Sequence, residues 1–282
     1  MCCKSLFVCP VCGSDFSING KSYKCEKGHC FDAAKSGYIN LLTSDKMNSK
    51  MPGDNKQMVQ ARSGFLDKGY YSHLREALVE AVLDVAKEND VLLDAGCGEG
   101  YYTSKIAEEV LKSGIKLNTA GIDISKFAAD KAAKRCKQAE FAVGSVFHIP
   151  FRENSCDILL NVFAPFCYDE YVRILRNGGY MIMAIPDRLH LWELKKAVYD
   201  TPYENSPKQE EIKGFEFVKK LSAKKKILLE SQEDIMNLFA MTPYFYNTKP
   251  EDRQKLLSIK SLETQTEFEV LIYRKKENFN GT

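Results

Sequence analysis

Three glycines at alternate positions, directly after an apolar run, constrain this chain more than any other feature. They are Gly96, Gly98 and Gly100 of the sequence LLDAGCGEGYYT, residues 92–103, and Asp94 precedes them. Glycine allows a backbone to turn sharply and to approach a ligand that a Cβ atom would keep away. The pattern therefore predicts a buried strand, a tight ligand-binding turn and then a helix.

Strands and helices are predicted to alternate around this turn. Apolar runs that predict strands lie at residues 91–96, 118–124, 140–146, 157–163 and 178–186. Helical patterns fall between or after them, at residues 101–114, 125–136, 168–175 and 190–199. Such alternation predicts an α/β fold with a mostly parallel sheet. Further along, residues 215–229 are expected to form two paired antiparallel strands, and residues 232–242 a helix.

A second acidic residue, Asp123, ends the next predicted strand, in the sequence GIDIS. Carboxylates at the ends of adjacent strands can accept hydrogen bonds from ribose hydroxyls. The dinucleotide fingerprint is G-x-G-x-x-G, whereas the glycines here follow G-x-G-x-G. A ribose-bearing ligand without a pyrophosphate is therefore favoured. The alternatives are a nicotinamide-dependent dehydrogenase and a purely structural turn.

Residues 90–186 resemble the class I methyltransferases that depend on S-adenosylmethionine (SAM), which have a Rossmann-like, mostly parallel seven-stranded sheet. The resemblance implies that the cofactor is bound by Asp94, Gly96, Gly98, Glu99, Gly100 and Asp123. The sequence VGSVFHIPF, residues 143–151, resembles the segment that meets the adenine. Ser145 stands there where many members of the class have aspartate.

The segment after the fourth strand bears on the acceptor. It reads NVFAPF, residues 161–166, and begins with Asn161. Methyltransferases that act on exocyclic amines often carry Asn-Pro-Pro-aromatic at this place, and the paired prolines are absent here. The sequence therefore disfavours that chemistry and leaves a ring nitrogen, a carbon, an oxygen or a small molecule as acceptors.

A cluster of cysteines near the start of the chain predicts a metal site. Residues 9–32 read CPVCGSDFSINGKSYKCEKGHCFD, and Cys9, Cys12, Cys25 and His29 have the spacing C-x2-C-x12-C-x3-H. Four such ligands suit tetrahedral zinc in a closed, structural site. By spacing alone Cys30 could replace His29. Cys2 and Cys3 are further, weaker candidates.

Composition narrows the class of protein. The chain has 282 residues, of which 44% are hydrophobic and 28% charged, and its formal net charge is +2. A polyanionic partner must therefore be met by a local basic patch. No apolar run approaches the ~20 residues that cross a bilayer. Some cysteines cluster near the start of the chain, and the others are scattered through apparent core segments. This distribution favours a reduced, cytoplasmic protein, and no membrane partner is expected.

Three further segments resemble one family, the 23S ribosomal RNA (guanine-N1)-methyltransferases. They are the cysteine segment, the sequence GDNKQMVQARSGFLDKGYYSHLREA at residues 53–77, and the late motifs HLWELK and LFAMTPYFYNT. The resemblance covers nearly the whole chain in order. It implies an RNA-binding enzyme of rRNA processing that methylates N1 of a guanine in a hairpin loop of 23S rRNA. It also assigns the zinc ligands to Cys9, Cys12, Cys25 and His29, and adds Tyr71 and His190 to the SAM contacts.

The resemblance and the residue pattern together predict three parts. Residues 1–42 form a zinc-binding RNA-recognition domain, residues 43–64 a linker or arm, and residues 65–282 the SAM-dependent methyltransferase domain. The expected cofactors are SAM and one structural Zn²⁺. The expected partner is the 23S rRNA hairpin loop, with a homodimer as an open alternative to a monomer.

The residue that removes the N1 proton is left open between Asn161, acting through water, and Asp187. Two surface features also have two interpretations each. The basic sequence KKLSAKKK, residues 219–226, either contacts phosphate or forms a solvated strand edge. The aromatic residues 244–246 either stack on the target base or belong to the core. The competing functions are a zinc-bearing RNA-binding protein without catalysis and a small-molecule methyltransferase.

Overall fold

The computed structural model describes residues 4–46, 53–206, 211–277 and 279, with the backbone alone at residues 246 and 247. Cys2 and Cys3 lie outside the described residues, as does the side chain at position 246. Among the described residues, no helix is both long enough and apolar enough to cross a membrane.

The first four strands form a small antiparallel ribbon in the order β1-β2-β3-β4. They are β1 (Lys4–Val8), β2 (Asp15–Asn19), β3 (Ser22–Cys25) and β4 (Cys30–Asp32). The ribbon is packed onto the rest of the protein: the Phe7 ring lies edge-on to Phe151, with centroids 5.4 Å apart. The Val8 N–H also donates a hydrogen bond to the Pro150 carbonyl. The ribbon therefore shares its core with the larger domain.

The larger domain is built on an eight-stranded sheet in the order β11-β12-β10-β9-β6-β7-β8-β5. The strands are β5 (Ile39–Asn40), β6 (Val91–Ala95), β7 (Asn118–Asp123), β8 (Ala139–Val143), β9 (Cys156–Val162), β10 (Leu175–Pro186), β11 (Phe215–Leu229) and β12 (Leu262–Lys275). All strands from β5 to β10 pair in parallel, and only β12 runs antiparallel to its neighbours β10 and β11. The predicted Rossmann-like sheet with an N-terminal zinc ribbon is confirmed.

One strand more than the predicted seven is present. β5 follows the ribbon and pairs in parallel with β8, with Ile39 opposite Ala142. The side chain of Ile39 is buried, and the Leu41 N–H donates to the Val143 carbonyl. A strand of two residues is too short to show the alternation of apolar and polar residues that predicts longer strands. It forms here because β8 supplies its hydrogen-bond partners.

The helices cover the sheet. They are α1 (Lys56–Asp67), α2 (Ser72–Leu83), α3 (Tyr101–Lys112), α4 (Lys126–Arg135), α5 (Tyr168–Ile174), α6 (Trp192–Val198), α7 (Gln232–Ala240), α8 (Tyr244–Asn247) and α9 (Pro250–Leu257), after a 3-10 turn at Ser44–Lys46. α1 begins inside the segment expected to be an arm. Its N-cap Asn55 accepts a hydrogen bond from the Met58 N–H, and Met58, Phe65 and Leu66 are buried. It packs mainly against α7 and also touches α3 and α4, and the polar local sequence does not indicate this packing.

Residues 215–229 form one long strand, so the expected pair of strands is wrong. β11 runs for 15 residues along β12 and forms an edge of the sheet. Four of the five lysines of this strand lie against carboxylates. The Lys220 ammonium lies 2.8 Å from Glu269, for example, and Lys226 pairs with Glu263. These contacts match the solvated-edge interpretation, because charged side chains hinder pairing with another chain.

Candidate functional site

The glycine turn joins β6 to α3 at the carboxyl edge of the parallel strands. Gly96, Gly98 and Gly100 have φ angles of 89°, 55° and 74°, which are left-handed values that glycine adopts without strain. A Cβ atom at Gly96 would overlap the Cβ of Ala164, and one at Gly100 would lie 3.0 Å from the Cβ of Ala132. The turn therefore needs glycine both for its conformation and for the close approach of its neighbours.

Asp123 lies at the end of β7, beside the glycine turn. One of its carboxylate oxygens accepts the Gly98 N–H at 2.9 Å, and the other accepts the Ser125 N–H at 2.7 Å. Burial raises the pKa of Asp123, while the two backbone donors and the Arg62 guanidinium oppose that rise. Each carboxylate oxygen keeps a further lone pair, so the group fits a pair of ribose hydroxyls.

Two buried carboxylates of the turn have unused acceptors. Asp94 and Glu99 are each 1% exposed. Asp94 Oδ2 accepts the Thr103 hydroxyl, whereas Asp94 Oδ1 and Glu99 Oε1 have no hydrogen-bond partner among the described residues. Burial raises the pKa of Asp94 to about 7, and it also raises that of Glu99. Buried unpartnered acceptors are costly, so these atoms fit a ligand that brings donors or positive charge, as SAM does.

An ion pair that the sequence did not reveal lies against the turn. Arg62 of α1 pairs with Asp54, and its guanidinium acts on the charges of Glu99 and Asp123. The Ser125 hydroxyl donates to the Asp54 carbonyl at 2.5 Å, which ties this segment to the end of β7. Residues 53–62 thus reach the candidate cofactor site. In the sequence, these residues were indicated only by the resemblance of residues 53–77 to the family, because the spacing of their side chains suggests no binding site.

Tyr71 and His190 come together against Phe268 of β12. The Tyr71 hydroxyl lies 3.5 Å from His190 Nε2, and both rings pack against Phe268, with centroids 4.8 and 4.4 Å away. Burial lowers the pKa of His190 to about 3, with smaller effects from Lys195 and His73. His190 is therefore neutral. Because its Nδ1 accepts the Glu267 N–H at 3.2 Å, its Nε2 carries the proton and points a donor at Tyr71.

Ser145 lies in the turn after β8, where the adenine segment is expected. Its Oγ accepts the Phe147 N–H at 3.2 Å, and its carbonyl accepts the His148 N–H at 3.1 Å. The preceding Gly144 N–H donates to the Asp123 carbonyl at 3.0 Å. The turn is thereby fixed beside the candidate ribose site, with Ser145 buried in it.

The two candidate proton acceptors have different surroundings. The Asn161 amide nitrogen donates to the Tyr171 hydroxyl at 2.6 Å and to the Pro165 carbonyl at 3.2 Å, so it holds the loop that follows β9. The Asp187 carboxylate lies 2.6 Å from the Lys224 ammonium and accepts the Arg188 N–H. Burial raises the pKa of Asp187, but these two partners outweigh it and leave the pKa below its ordinary value.

Four side chains of the ribbon form a candidate metal centre. The ligand atoms of Cys9, Cys12, Cys25 and His29 all lie within 4.8 Å of one another. His29 Nδ1 is 3.5 Å from Cys9 Sγ and 3.3 Å from Cys25 Sγ, and the sulfur atoms of Cys12 and Cys25 are 3.6 Å apart. Zinc bonds of about 2.3 Å to sulfur and about 2.0 Å to nitrogen give tetrahedral edges of roughly 3.5–3.8 Å. The donor set therefore fits zinc, whereas Cys30 is exposed and outside the cluster.

Replacing Asp94 by asparagine should change the pH dependence of stability. The folded protein keeps a proton on Asp94 up to about pH 7, whereas an unfolded chain loses it near about pH 4. Wild-type stability should therefore fall as pH rises through this window, by about 2 kcal/mol between pH 5 and pH 8 relative to the variant. Urea unfolding at both pH values measures this. If the free energies of unfolding of the wild type and the variant differed by the same amount at pH 5 and at pH 8, Asp94 would be ionised in the folded protein at both pH values.

Two family models match the chain. The N-terminal domain of RlmA, a zinc ribbon, matches residues 7–50, and a methyltransferase domain matches residues 86–242. Among solved structures, a Bacillus halodurans protein described as a methyltransferase has a TM-score of 0.48 and 16% identity over 71% of this chain and 99% of its own.

Two curated relatives are similar to most of the chain. A Bacillus subtilis protein named as a 23S rRNA (guanine-N(1)-)-methyltransferase is 31% identical, covering 95% of this chain and 96% of its own. The 23S rRNA (guanine(748)-N(1))-methyltransferase of Streptomyces fradiae is 35% identical, covering 67% of this chain and 66% of its own. This chain therefore belongs to the family of the 23S rRNA (guanine-N1)-methyltransferases.

Proposed function

We propose that this protein transfers the methyl group of SAM to N1 of a guanine in 23S ribosomal RNA. The observation that carries the proposal is the similarity to the Bacillus subtilis relative over 95% of the chain, through both the zinc ribbon and the methyltransferase domain. A small-molecule methyltransferase would share only the second part. The hairpin loop as the form of the RNA, a homodimer as the assembly and the cytoplasm as the location belong to the same proposal.

The cofactor is proposed to lie along the carboxyl edge of β6 and β7. When bound, SAM supplies an electrophilic methyl group on a sulfonium. Asp123 would accept the ribose hydroxyls, and the free acceptors of Asp94 and Glu99 would take donors of the cofactor. Gly96, Gly98 and Gly100 would allow its close approach. The neutral His190 and Tyr71 would line the other side, and the turn at Ser145 would meet the adenine.

Methylation of N1 requires that the N1 proton leaves. As the bond from N1 to the methyl carbon forms, the bond from that carbon to sulfur would break and its electron pair would stay on the sulfur as a neutral thioether. Electron density leaves N1 and its proton becomes more acidic, so a weak base suffices. Asp187 is ionised and can accept this proton, directly or through water, before passing it to solvent. His190 does not suit this role, because Nδ1 accepts a backbone N–H and Nε2 carries a proton. Asn161 would act instead by fixing the loop after β9.

The zinc ribbon is proposed to help hold the RNA. Zinc would close the Cys9, Cys12, Cys25 and His29 cluster and stiffen the turns that carry it. The exposed Lys24 and Lys27 lie near this cluster and can contact phosphate. Because the ribbon shares its core with the sheet, RNA held by it would have a fixed position relative to the methyl donor.

Primer extension on 23S rRNA from cells with and without this protein tests the proposed function. A methyl group at N1 blocks Watson–Crick pairing, so reverse transcriptase should stop at one guanine only when the protein is present. The purified protein with SAM should restore the stop on unmodified rRNA. An identical pattern of stops in both cell types would contradict the proposal.

A further inference from the structure

The loop after β9 presents an exposed aromatic ring on a strained backbone. Phe163 has a φ angle of 59°, in the left-handed region that a bulky residue rarely adopts. Its side chain is 47% exposed, although a phenylalanine gains most by burial. Neither local backbone preference nor the hydrophobic effect explains this placement.

Neighbouring residues hold this loop in place. The Pro165 carbonyl accepts hydrogen bonds from the Asn161 amide at 3.2 Å and from the Tyr171 hydroxyl at 3.1 Å. Ala164 packs so closely on Gly96 that no Cβ fits there. The loop is thus fixed on one side by the buried Asn161 and Tyr171 and on the other by close packing on Gly96. Such surrounding contacts are how proteins retain strained backbone at sites of function.

The Phe163 ring borders the candidate cofactor site. Its centroid lies 5.5 Å from that of Phe268, and Phe268 packs on both His190 and Tyr71. By contrast, the late aromatic residues Tyr244 and Phe245 are partly buried and pack on the apolar core. Phe163, in contrast to these two residues, is exposed and lies beside the His190 and Tyr71 pair.

We infer that the Phe163 ring is the platform on which the target guanine stacks after it leaves the RNA stack. The inference rests on the proposed function. N1 lies on the Watson–Crick edge, so the base must be unpaired, and an unpaired base is commonly held by stacking on an aromatic side chain. Phenylalanine has no hydrogen-bonding group, so stacking leaves the edge that carries N1 free to face the methyl donor.

Phe163→Gly separates this role from a structural one. Glycine adopts the observed φ angle without strain, so the variant should melt at the same or a higher temperature and bind SAM with unchanged affinity. Its kcat/KM for unmodified 23S rRNA should fall by about tenfold to a hundredfold, the effect expected for loss of one stacked base. Phe163→Tyr should restore the rate to within a few fold. Phe217→Ala, an exposed phenylalanine beside Tyr273 toward the other end of β12, should have no effect.

A double-mutant cycle tests the contact itself. The probes are the RNA hairpin that contains the mapped guanine and the same hairpin with an abasic nucleotide at that position. The wild-type protein should bind the intact hairpin more tightly, whereas Phe163→Gly should bind both equally. A variant that keeps the wild-type ratio of affinities, or the wild-type rate, would overturn the stacking inference alone. A wild-type protein that methylates no guanine of 23S rRNA would overturn the proposed function and this inference together.

Discussion

Replacing Asp123 by alanine should weaken SAM binding by about a hundredfold or more while leaving zinc bound. The carboxylate lies at the carboxyl edge of the sheet, where it accepts the Gly98 and Ser125 N–H groups. Alanine would remove both bonds and the acceptors proposed for the ribose, and hydrogen bonds to a charged group contribute about 1.5–3 kcal/mol each. Isothermal titration with SAM measures the loss, and atomic absorption measures the zinc.

A matched control removes a carboxylate far from the glycine turn. Asp84 caps the end of α2 and pairs with Lys219 of the edge strand. Asp84→Ala changes the net charge as Asp123→Ala does, so it should bind SAM like the wild type. Unchanged SAM affinity in Asp123→Ala would show that the ribose assignment is wrong, and loss of zinc would show that the variant disturbs the whole fold.

Replacing His29 by alanine should weaken zinc binding by on the order of a hundredfold, whereas Cys30→Ser should keep one zinc ion per chain. A structural zinc site is worth about 10–16 kcal/mol, and the His29 variant loses one of four ligands. Cys30 is exposed and lies outside the cluster, so its thiol contributes nothing to the site. The zinc content of each variant after dialysis against increasing concentrations of a chelator distinguishes His29→Ala from Cys30→Ser.

The stability of the ribbon provides a second measurement for this pair. Cys9 and Cys25 are buried beside Phe7 and Phe16 in the core shared with the sheet. Loss of zinc should therefore increase hydrogen exchange of backbone amides in β2 and β3 in His29→Ala but not in Cys30→Ser. If Cys30→Ser lost the metal and His29→Ala kept it, the assignment of the fourth ligand would be reversed.

Local sequence predicts the parts of this fold whose signals are local. The glycine turn is encoded at Gly96, Gly98 and Gly100 by the need for positive φ, and Asp123 follows from its place at a strand end. The parallel sheet follows from alternating strands and helices. The predicted helix at 232–242 corresponds to α7, whose N-cap Ser231 accepts the Asp234 N–H.

Predictions failed where a distant partner decides the structure. β11 extends for 15 residues because β12 offers a partner along its whole length, which no local pattern in residues 215–229 reveals. α1 begins inside the segment expected to be an arm, and its buried Phe65 and Leu66 belong to the apolar core that other elements of the chain build. In both cases non-local pairing or burial outweighs local propensity.

The sequence by itself determined the fold class, the glycine turn, the acidic strand ends and a cysteine cluster that fits a metal, since each depends on residues close together in the chain. The family resemblance assigned His29 as the fourth ligand, and the structure places His29 with the three cysteines and leaves Cys30 outside the cluster. Only the tertiary structure brought Arg62 and Asp54 to the candidate cofactor edge. It alone also placed the strained Phe163 beside Phe268. The physical reason is that charge pairing, ring contacts and burial depend on distances in space, and residues far apart in the chain set those distances.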